Sequence, residues 1–135
     1  YTDHDDVHDA DLLGGALYLK KILVNLYSNA IKYNKPGGSI TTRLREVSRT
    51  ADTAAYAFTI RDTGIGIRRE DLPRVFEKGY TGFNGHEDKR STGIGLYLCR
   101  EVLQKLGHTI RIQSEIGEGT VVTVGFYKDT IDVRD

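Results

Sequence analysis

The stretch DTGIGIRREDLPRVFEKGYTGFNGHEDKRSTGIGL, residues 62–96, contains the phrase Thr-Gly-Ile-Gly twice, at residues 63–66 and 92–95. The first copy follows a β-type run and leads into a loop, whereas the second follows a loop and begins a helical pattern. Because their surroundings differ, we interpret the copies as parts of one site rather than as a repeat. Glycine lets a backbone approach a ligand closely, so both copies are predicted to contact the same ligand.

Upstream of this stretch, the sequence predicts an amphipathic helix over Ala16–Asn34 and then two strands. The apolar positions of the helix follow a three-and-four spacing: Leu19, Ile22, Leu23, Leu26, Ala30 and Ile31. The turn residues NKPGG at 34–38 end this helix. SITTRLREV at 39–47 and AAYAFTIRD at 54–62 alternate in the manner of strands, and we expect them to pair as antiparallel neighbours.

Downstream, EDLPRVF at 70–76 predicts a short helix, and the polar residues 78–91 predict a mobile loop. A second helix is predicted over Gly93–Leu106, with Leu98, Val102 and Leu106 aligned on one face. Residues 109–127 predict two strands joined by a turn at 117–119. The expected fold is therefore α+β: a two-layer sandwich whose mixed, mostly antiparallel sheet is covered on one face by helices. Residues 1–135 are predicted to form a single domain, with residues 1–10 flexible.

Composition limits the classes of protein to which the chain belongs. Its 135 residues are 39% hydrophobic and 28% charged, which suits one compact domain. Equal numbers of basic and acidic residues, 19 each, leave no overall field for nucleic acid or a membrane surface. The single cysteine, Cys99, is predicted to be a packing residue in a reducing compartment, which indicates the cytoplasm. Since no Met is present, we expect the chain to be a piece of a longer protein.

Three polar side chains project from the same side of the first helix. Asn25 and Asn29 are four residues apart and Lys32 follows three later, which aligns them along the helix. Two amides and an ammonium could hold hydrated Mg²⁺ and phosphate oxygens. The alternative is a solvated face or a capping asparagine, and this segment alone does not decide between them.

Asp62 stands at the end of an apolar strand, where burial of a carboxylate requires a hydrogen-bonding partner. The exocyclic amine of adenine is one such partner, and Gly64 and Gly66 leave room for a flat ring. The alternative is an Asp-Thr-Gly turn without a ligand.

STGIGLYL at 91–98 runs into a helix, whose free N–H groups attract phosphate. It matches neither a P-loop nor a dinucleotide fingerprint. A metal site in the acidic start, DHDDVHDAD, is less favoured than a solvated terminus.

Taken in order, five segments resemble the ATP-binding catalytic domain of bacterial sensor histidine kinases: NLYSNAIKYN, RDTGIGI, VFEKGYTG, STGIGLYL and SEIGEGTVVTVGF. The resemblance extends from about Leu17 to Tyr127 and implies the Bergerat ATP-binding sandwich, with ATP and Mg²⁺ as cofactors. It implies that Asn29 is the metal ligand, that Lys32 lies near phosphate and that Tyr33 lies against adenine. Asp62 would accept the adenine amine, and residues 77–91 would form a lid.

The resemblance also implies a wider set of site residues. The catalytic positions would be Asn25, Asn29 and Lys32. Further nucleotide-binding positions would be Gly64, Gly66, Ile67, Phe76, Lys78, Tyr80, Thr92, Gly93, Ile94, Gly95, Leu96 and Thr120. In the chaperone and gyrase branches, a Glu activates water at the position of Asn25. An amide cannot act as a general base, so Asn25 favours phosphoryl transfer to a protein over hydrolysis.

The sequence departs from the family pattern at several positions. Ser91 stands where Gly is frequent and Thr81 where Arg is frequent, so the γ-phosphate contact passes to Lys78, Lys89 or Arg90. None of the histidines, His4, His8, His86 and His108, has the context of a phosphoacceptor. The expected partners are therefore dimerisation and acceptor helices elsewhere in the protein and a response regulator.

Two alternatives to the kinase remain open. They are an ATPase of the same fold and a non-catalytic nucleotide-binding interaction module. The GYTGFNG segment at 79–85 is similar to a subset of membrane-associated sensor kinases, which leaves membrane anchoring of the longer protein open as well.

Overall fold

The computed structural model describes residues 2–78 and 95–129, and the side chains of residues 17–78 and 95–128. In chain order the elements are helix α1 (Thr2–Lys32), strands β1 (Ile40–Arg49) and β2 (Thr53–Asp62), a 3₁₀ turn (Leu72–Arg74), helix α2 (Leu96–Lys105), and strands β3 (Thr109–Glu115) and β4 (Gly119–Asp129). The strands form one sheet in the order β1-β2-β4-β3. Every pair of neighbouring strands in the described residues is antiparallel, so this part of the sheet is not mixed.

The core lies between one face of the sheet and the two helices. Its buried members come from both helices and the two central strands: Ile22, Leu26, Ala30, Ile60, Cys99, Leu103 and Val124. Alternation along β2 and β4 directs Phe58, Ile60, Val122 and Val124 to the helices, because successive strand residues point to opposite faces. Burying each large apolar side chain contributes about 1.5–3 kcal/mol. The predicted helices-on-one-face arrangement is confirmed.

Some predicted boundaries and faces differ from the structure. Helix α1 begins at Thr2 rather than at residue 16, and the predicted short helix is a 3₁₀ turn of three residues, Leu72–Arg74. Ile31 is exposed although the helical spacing predicted it to be buried. In α2 the buried residues are Cys99 and Leu103, whereas Leu98 and Leu106 are exposed. Neither helix, over the residues described, is long and apolar enough to cross a membrane.

One row of paired residues crosses all four strands at the end of the sheet where β2 finishes. Ile40 pairs with Asp62, Asp62 pairs with Thr120, and Thr120 pairs with Ser114. Paired residues project from the same face, so these side chains share the helix-covered side of the sheet. The C-terminal end of helix α1 also lies at this end of the sheet. The N–H of Ile65 donates to the carbonyl of Tyr33, the residue that follows the helix. The polar end of the sandwich is therefore built from α1, the β2 end and the β3–β4 hairpin.

Candidate functional site

The buried carboxylate of Asp62 is the centre of the candidate site. Asp62 is 8% exposed, and its Oδ1 accepts hydrogen bonds from the N–H of Gly64 at 2.8 Å and of Thr120 at 3.2 Å. These two bonds fix the orientation of the carboxylate. No group of the described residues donates to Oδ2. Since a buried carboxylate is stable only with charge-assisted partners, Oδ2 has the chemistry to accept a ligand N–H.

The loop after Asp62 is wedged between the end of α1 and the β3–β4 hairpin. Ile65 donates to the Tyr33 carbonyl at 3.1 Å and accepts from the N–H of Gly117 at 3.0 Å. A Cβ at Gly64 would collide with the Tyr33 carbonyl oxygen, and one at Gly66 would collide with the Glu115 carbonyl oxygen. The glycines of the first Thr-Gly-Ile-Gly are therefore required by protein backbone around them. Whether they also approach a ligand stays a prediction.

Ser114 is a member of this cluster that the sequence analysis did not identify. Its Oγ accepts from the N–H of Ile67 at 2.8 Å, donates to the Gly119 carbonyl at 2.9 Å, and lies 2.8 Å from Thr120 Oγ1. The signal was present, since Ile110 packs against the core, Ile112 pairs with core-facing Val122, and Ser114 occupies the next position on the same face. We call Asp62, Gly64, Ile67, Ser114 and Thr120 the carboxylate cluster.

The three polar residues of α1 differ strongly in burial. Asn25 is only 3% exposed and belongs to the core face, whereas Asn29 is half-buried and Lys32 is exposed. The Asn25 Nδ2 donates to the Cys99 sulfur at 3.5 Å, and its Oδ1 has no partner among the described residues. A buried carbonyl oxygen without a partner costs roughly 1–3 kcal/mol. The Asn25 Oδ1 is therefore an unused hydrogen-bond acceptor that is held in the core at a cost to stability.

Burial also controls the neighbouring thiol of Cys99. Desolvation raises the pKa of the Cys99 thiol, against a smaller lowering by the hydrogen bond from Asn25. The side chain is fully buried, as predicted for a packing residue. It is a protonated thiol that packs between the helices and acts as a weak acceptor for the Asn25 amide.

Two aromatic side chains of the predicted site carry cations on their faces. The Lys32 ammonium lies 5.1 Å from the ring centroid of half-buried Tyr33. The Arg100 guanidinium of α2 lies 4.8 Å from the centroid of Phe76, a cation–π contact that joins α2 to the segment after the 3₁₀ turn. Tyr33 borders the carboxylate cluster through its backbone, whereas the described contacts of Phe76 lie with α2.

The remaining predicted positions are placed as follows. Lys78 and Gly95 are exposed, and Leu96 is the first residue of α2 and packs against the core. The lid from residue 79 onward lies outside the described residues, together with Tyr80, Thr92, Gly93, Ile94, Lys89 and Arg90. Within the part of the chain that is described, no group of three His, Cys, Asp or Glu side chains could hold a metal ion.

Two charged or titratable groups have structural rather than ligand-binding surroundings. Asp71 is 4% exposed, and its carboxylate accepts from Arg68 at 2.9 Å. His108 packs edge-to-face on Phe126, and its Nδ1 accepts from the N–H of Tyr127 at 3.2 Å. Desolvation lowers the pKa of His108, so the neutral ring is favoured. Both residues stabilise the fold outside the carboxylate cluster.

The chain is an α+β sandwich with a buried carboxylate and tightly packed glycines at one end of its sheet. The family described as histidine kinase-, DNA gyrase B-, and HSP90-like ATPase matches residues 14–130. The chain belongs to this family, as the sequence motifs predicted.

Relatives and solved structures agree with this assignment. Sensor histidine kinase YxdK of Bacillus subtilis is 38% identical over 118 residues, which cover 87% of this chain and 35% of the relative. Sensor protein BceS of Halalkalibacterium halodurans is 36% identical over 124 residues, 92% of this chain and 35% of the relative. The chain thus spans about one third of these relatives. The mycobacterial sensor histidine kinase MprB superposes with a TM-score of 0.64 at 25% identity, over 82% of this chain and 70% of that one, which confirms the predicted fold.

Proposed function

We propose that this chain is the ATP-binding catalytic domain of a sensor histidine kinase, which transfers the γ-phosphoryl group of ATP to a histidine in another domain. The observation that carries the proposal is the Asp62 carboxylate, whose Oδ1 is used by Gly64 and Thr120 while Oδ2 has no donor among the described residues. Family membership and the names of the relatives support the same function. The response regulator that would take up the phosphoryl group is a partner of the whole protein.

Adenine recognition would use the accepting Oδ2 of Asp62. The exocyclic amine of adenine donates hydrogen bonds, and a carboxylate is the stronger kind of acceptor for them. The backbone of half-buried Tyr33 lies beside the loop that contains Gly64, through the bond from the Ile65 N–H to the Tyr33 carbonyl. We propose that Tyr33 forms a wall of the base pocket. We propose that the second glycine phrase, residues 92–95, binds the phosphates.

The side chains of α1 would supply oxygen ligands to a hydrated Mg²⁺ ion. Mg²⁺ prefers oxygen ligands and keeps several waters, and the Asn25 Oδ1 is a buried oxygen without a partner in the described residues. Asn29, one turn further along the same side, would be the direct ligand, and Lys32 would lie by the phosphates. Bound there, Mg²⁺ would neutralise charge on the phosphoryl oxygens.

Asn25 also bears on the choice between kinase and ATPase. Its amide has no proton-accepting nitrogen, and its carbonyl cannot remove a proton from water. The chain therefore has no general base at this position, and catalysis would consist of positioning and charge neutralisation of the transferring group. These features favour transfer to a protein acceptor over hydrolysis.

Asp62→Asn tests the proposal, with Asp71→Asn as the matched control. The amide introduced by Asp62→Asn retains an oxygen that accepts from Gly64 and Thr120 but turns N–H groups toward the adenine amine. Loss of one charged hydrogen bond, about 1.5–3 kcal/mol, should weaken ATP binding about 10- to 100-fold with little change in stability. Asp71→Asn breaks the pair with Arg68 and should lower stability while preserving affinity.

Titration calorimetry with ATP and ADP, together with urea unfolding, measures both quantities. Loss of affinity in the Asp62 variant alone supports the proposal. A wild-type chain that binds neither nucleotide, or two variants that lose affinity equally, would refute it.

A further inference from the structure

The hydroxyl of Ser114 lies at a junction of three hydrogen-bonding groups. The Ser114 Oγ lies 2.8 Å from the nitrogen of Ile67, 2.9 Å from the carbonyl oxygen of Gly119 and 2.8 Å from the Oγ1 of Thr120. Ile67 follows Asp62 in the loop, while Gly119 and Thr120 begin β4. Ser114 thus joins the loop and the strand that together hold the carboxylate.

The number of available protons determines the direction of each of these bonds. A serine hydroxyl has one proton and two lone pairs, the Ile67 N–H can only donate, and the Gly119 carbonyl can only accept. Ser114 therefore accepts from Ile67 and uses its single proton on Gly119. Its second lone pair is then the partner of Thr120, so the Thr120 hydroxyl donates its own proton to Ser114.

We propose that Ser114 determines the nucleobase selectivity of the site by holding the Thr120 hydroxyl as a hydrogen-bond acceptor beside Asp62. This inference rests on the proposed ATP-binding function. Thr120 is half-buried next to Asp62 in the cross-strand row, and its N–H already donates to the Asp62 Oδ1. With its proton committed to Ser114, Thr120 has only lone pairs left for the pocket.

Two hydrogen-bond acceptors at one edge of a pocket select ligands that present hydrogen-bond donors at that edge. Asp62 Oδ2 and Thr120 Oγ1 both favour a base, or a bridging water, that presents N–H or O–H donors. A 6-aminopurine presents donors at this edge, whereas a 6-oxopurine places an oxygen lone pair against the carboxylate. Without Ser114, the Thr120 hydroxyl can rotate and donate, and part of the discrimination against the oxygen is lost.

The test compares ATP with inosine triphosphate, which replaces the 6-amino group by a 6-oxo group. We expect Ser114→Ala to reduce the ratio of ATP affinity to inosine triphosphate affinity about 5- to 10-fold, the effect of one hydrogen bond of about 1 kcal/mol. Thr120→Val, which removes the hydroxyl at constant shape, should reduce the ratio similarly. Adding Ser114→Ala to Thr120→Val should produce no further change, because the proposed action of Ser114 requires the Thr120 hydroxyl.

Ser114→Thr keeps the hydroxyl and should retain the wild-type ratio. If Ser114→Ala does not fold, Ser114→Cys replaces it, since a thiol is a weak hydrogen-bonding group of similar size. Equal weakening of both nucleotides would show that Ser114 only supports the loop, and would overturn the inference. So would a Ser114→Ala effect of the same size in the Thr120→Val background. These outcomes leave wild-type ATP binding intact, whereas failure of the proposed function removes that binding itself.

Discussion

Alanine substitutions at Gly66 and Gly37 form a matched pair. Comparing them tests how closely the loop after Asp62 packs against the β3–β4 hairpin. Both have φ of +78°, but a Cβ at Gly37 meets nothing within 4 Å, whereas one at Gly66 would collide with the Glu115 carbonyl oxygen. At Gly66 the built Cβ would also lie 2.9 Å from the Cα of Ile116. These obstacles are backbone atoms at the β3–β4 turn, so they cannot move aside as a flexible side chain would. The two alanine variants therefore differ chiefly in steric overlap.

The expected magnitudes follow from this difference. Alanine in the left-handed region costs about 1–2 kcal/mol, so Gly37→Ala should lower the free energy of unfolding by that amount. Gly66→Ala should lower it by a further 1–3 kcal/mol or so, the usual cost of overpacking. Urea unfolding followed by far-ultraviolet circular dichroism measures both values, with the slope of the transition as a check on two-state behaviour. Equal losses in the two variants would refute the close packing of the loop on the hairpin.

Two further predictions concern buried polar groups. Asn25→Leu removes a buried oxygen without a partner in the described residues, so we expect the nucleotide-free chain to gain about 1–2 kcal/mol of unfolding free energy. The same variant should lose Mg²⁺-dependent ATP affinity, measured by calorimetry with and without the ion, and unchanged affinity would exclude Asn25 from the cation site. For His108, the folded pKa is lowered by burial, so the unfolded chain binds the proton more readily and stability should fall as the pH drops through about 6.5. Urea unfolding at about pH 7.5 and 5.5 should show a smaller decrease for His108→Gln, and equal pH dependence would contradict the assignment.

The sequence predicted the four strands, the β1–β2 pair and the β3–β4 hairpin because their patterns are local, but it did not predict the pairing of β2 with β4. Period-two alternation and glycine turns identified β1 to β4 and the β3–β4 hairpin. The sequence did not determine which face of α2 is buried, since this helix contains two overlapping apolar stripes. Leu98, Val102 and Leu106 form one stripe, while Cys99 and Leu103 form the other, and the latter is buried. Packing of α2 against the sheet decides between the stripes, and spacing along the chain does not contain that information.

The site residues show the same division between local and tertiary information. Asp62 was identified from the apolar strand that precedes it, and its burial is confirmed. Asn25 was grouped with Asn29 and Lys32 from helical spacing, but the three differ in burial, and only Asn25 is buried, where it contacts Cys99 of α2. Ser114 was missed because a single serine in a strand has many meanings. Its role depends on the loop at Ile67, which is distant in sequence.

In three strands, the inward-facing residues nevertheless change from apolar to polar at the same cross-strand row. Along β2 they run Phe58, Ile60, then Asp62, and along β3 they run Ile110, Ile112, then Ser114. Strand β4 begins with inward Thr120 before its apolar residues. Three polar residues replace apolar ones where α1 has ended, so the sheet extends beyond its helical cover at this row. Polar groups facing inward there cannot add hydrophobic stabilisation, and each needs a hydrogen-bonding partner. Within the described residues these groups find partners in each other or in nearby backbone, except at the Asp62 Oδ2, and this remaining acceptor is the basis for the proposal that the row binds a ligand.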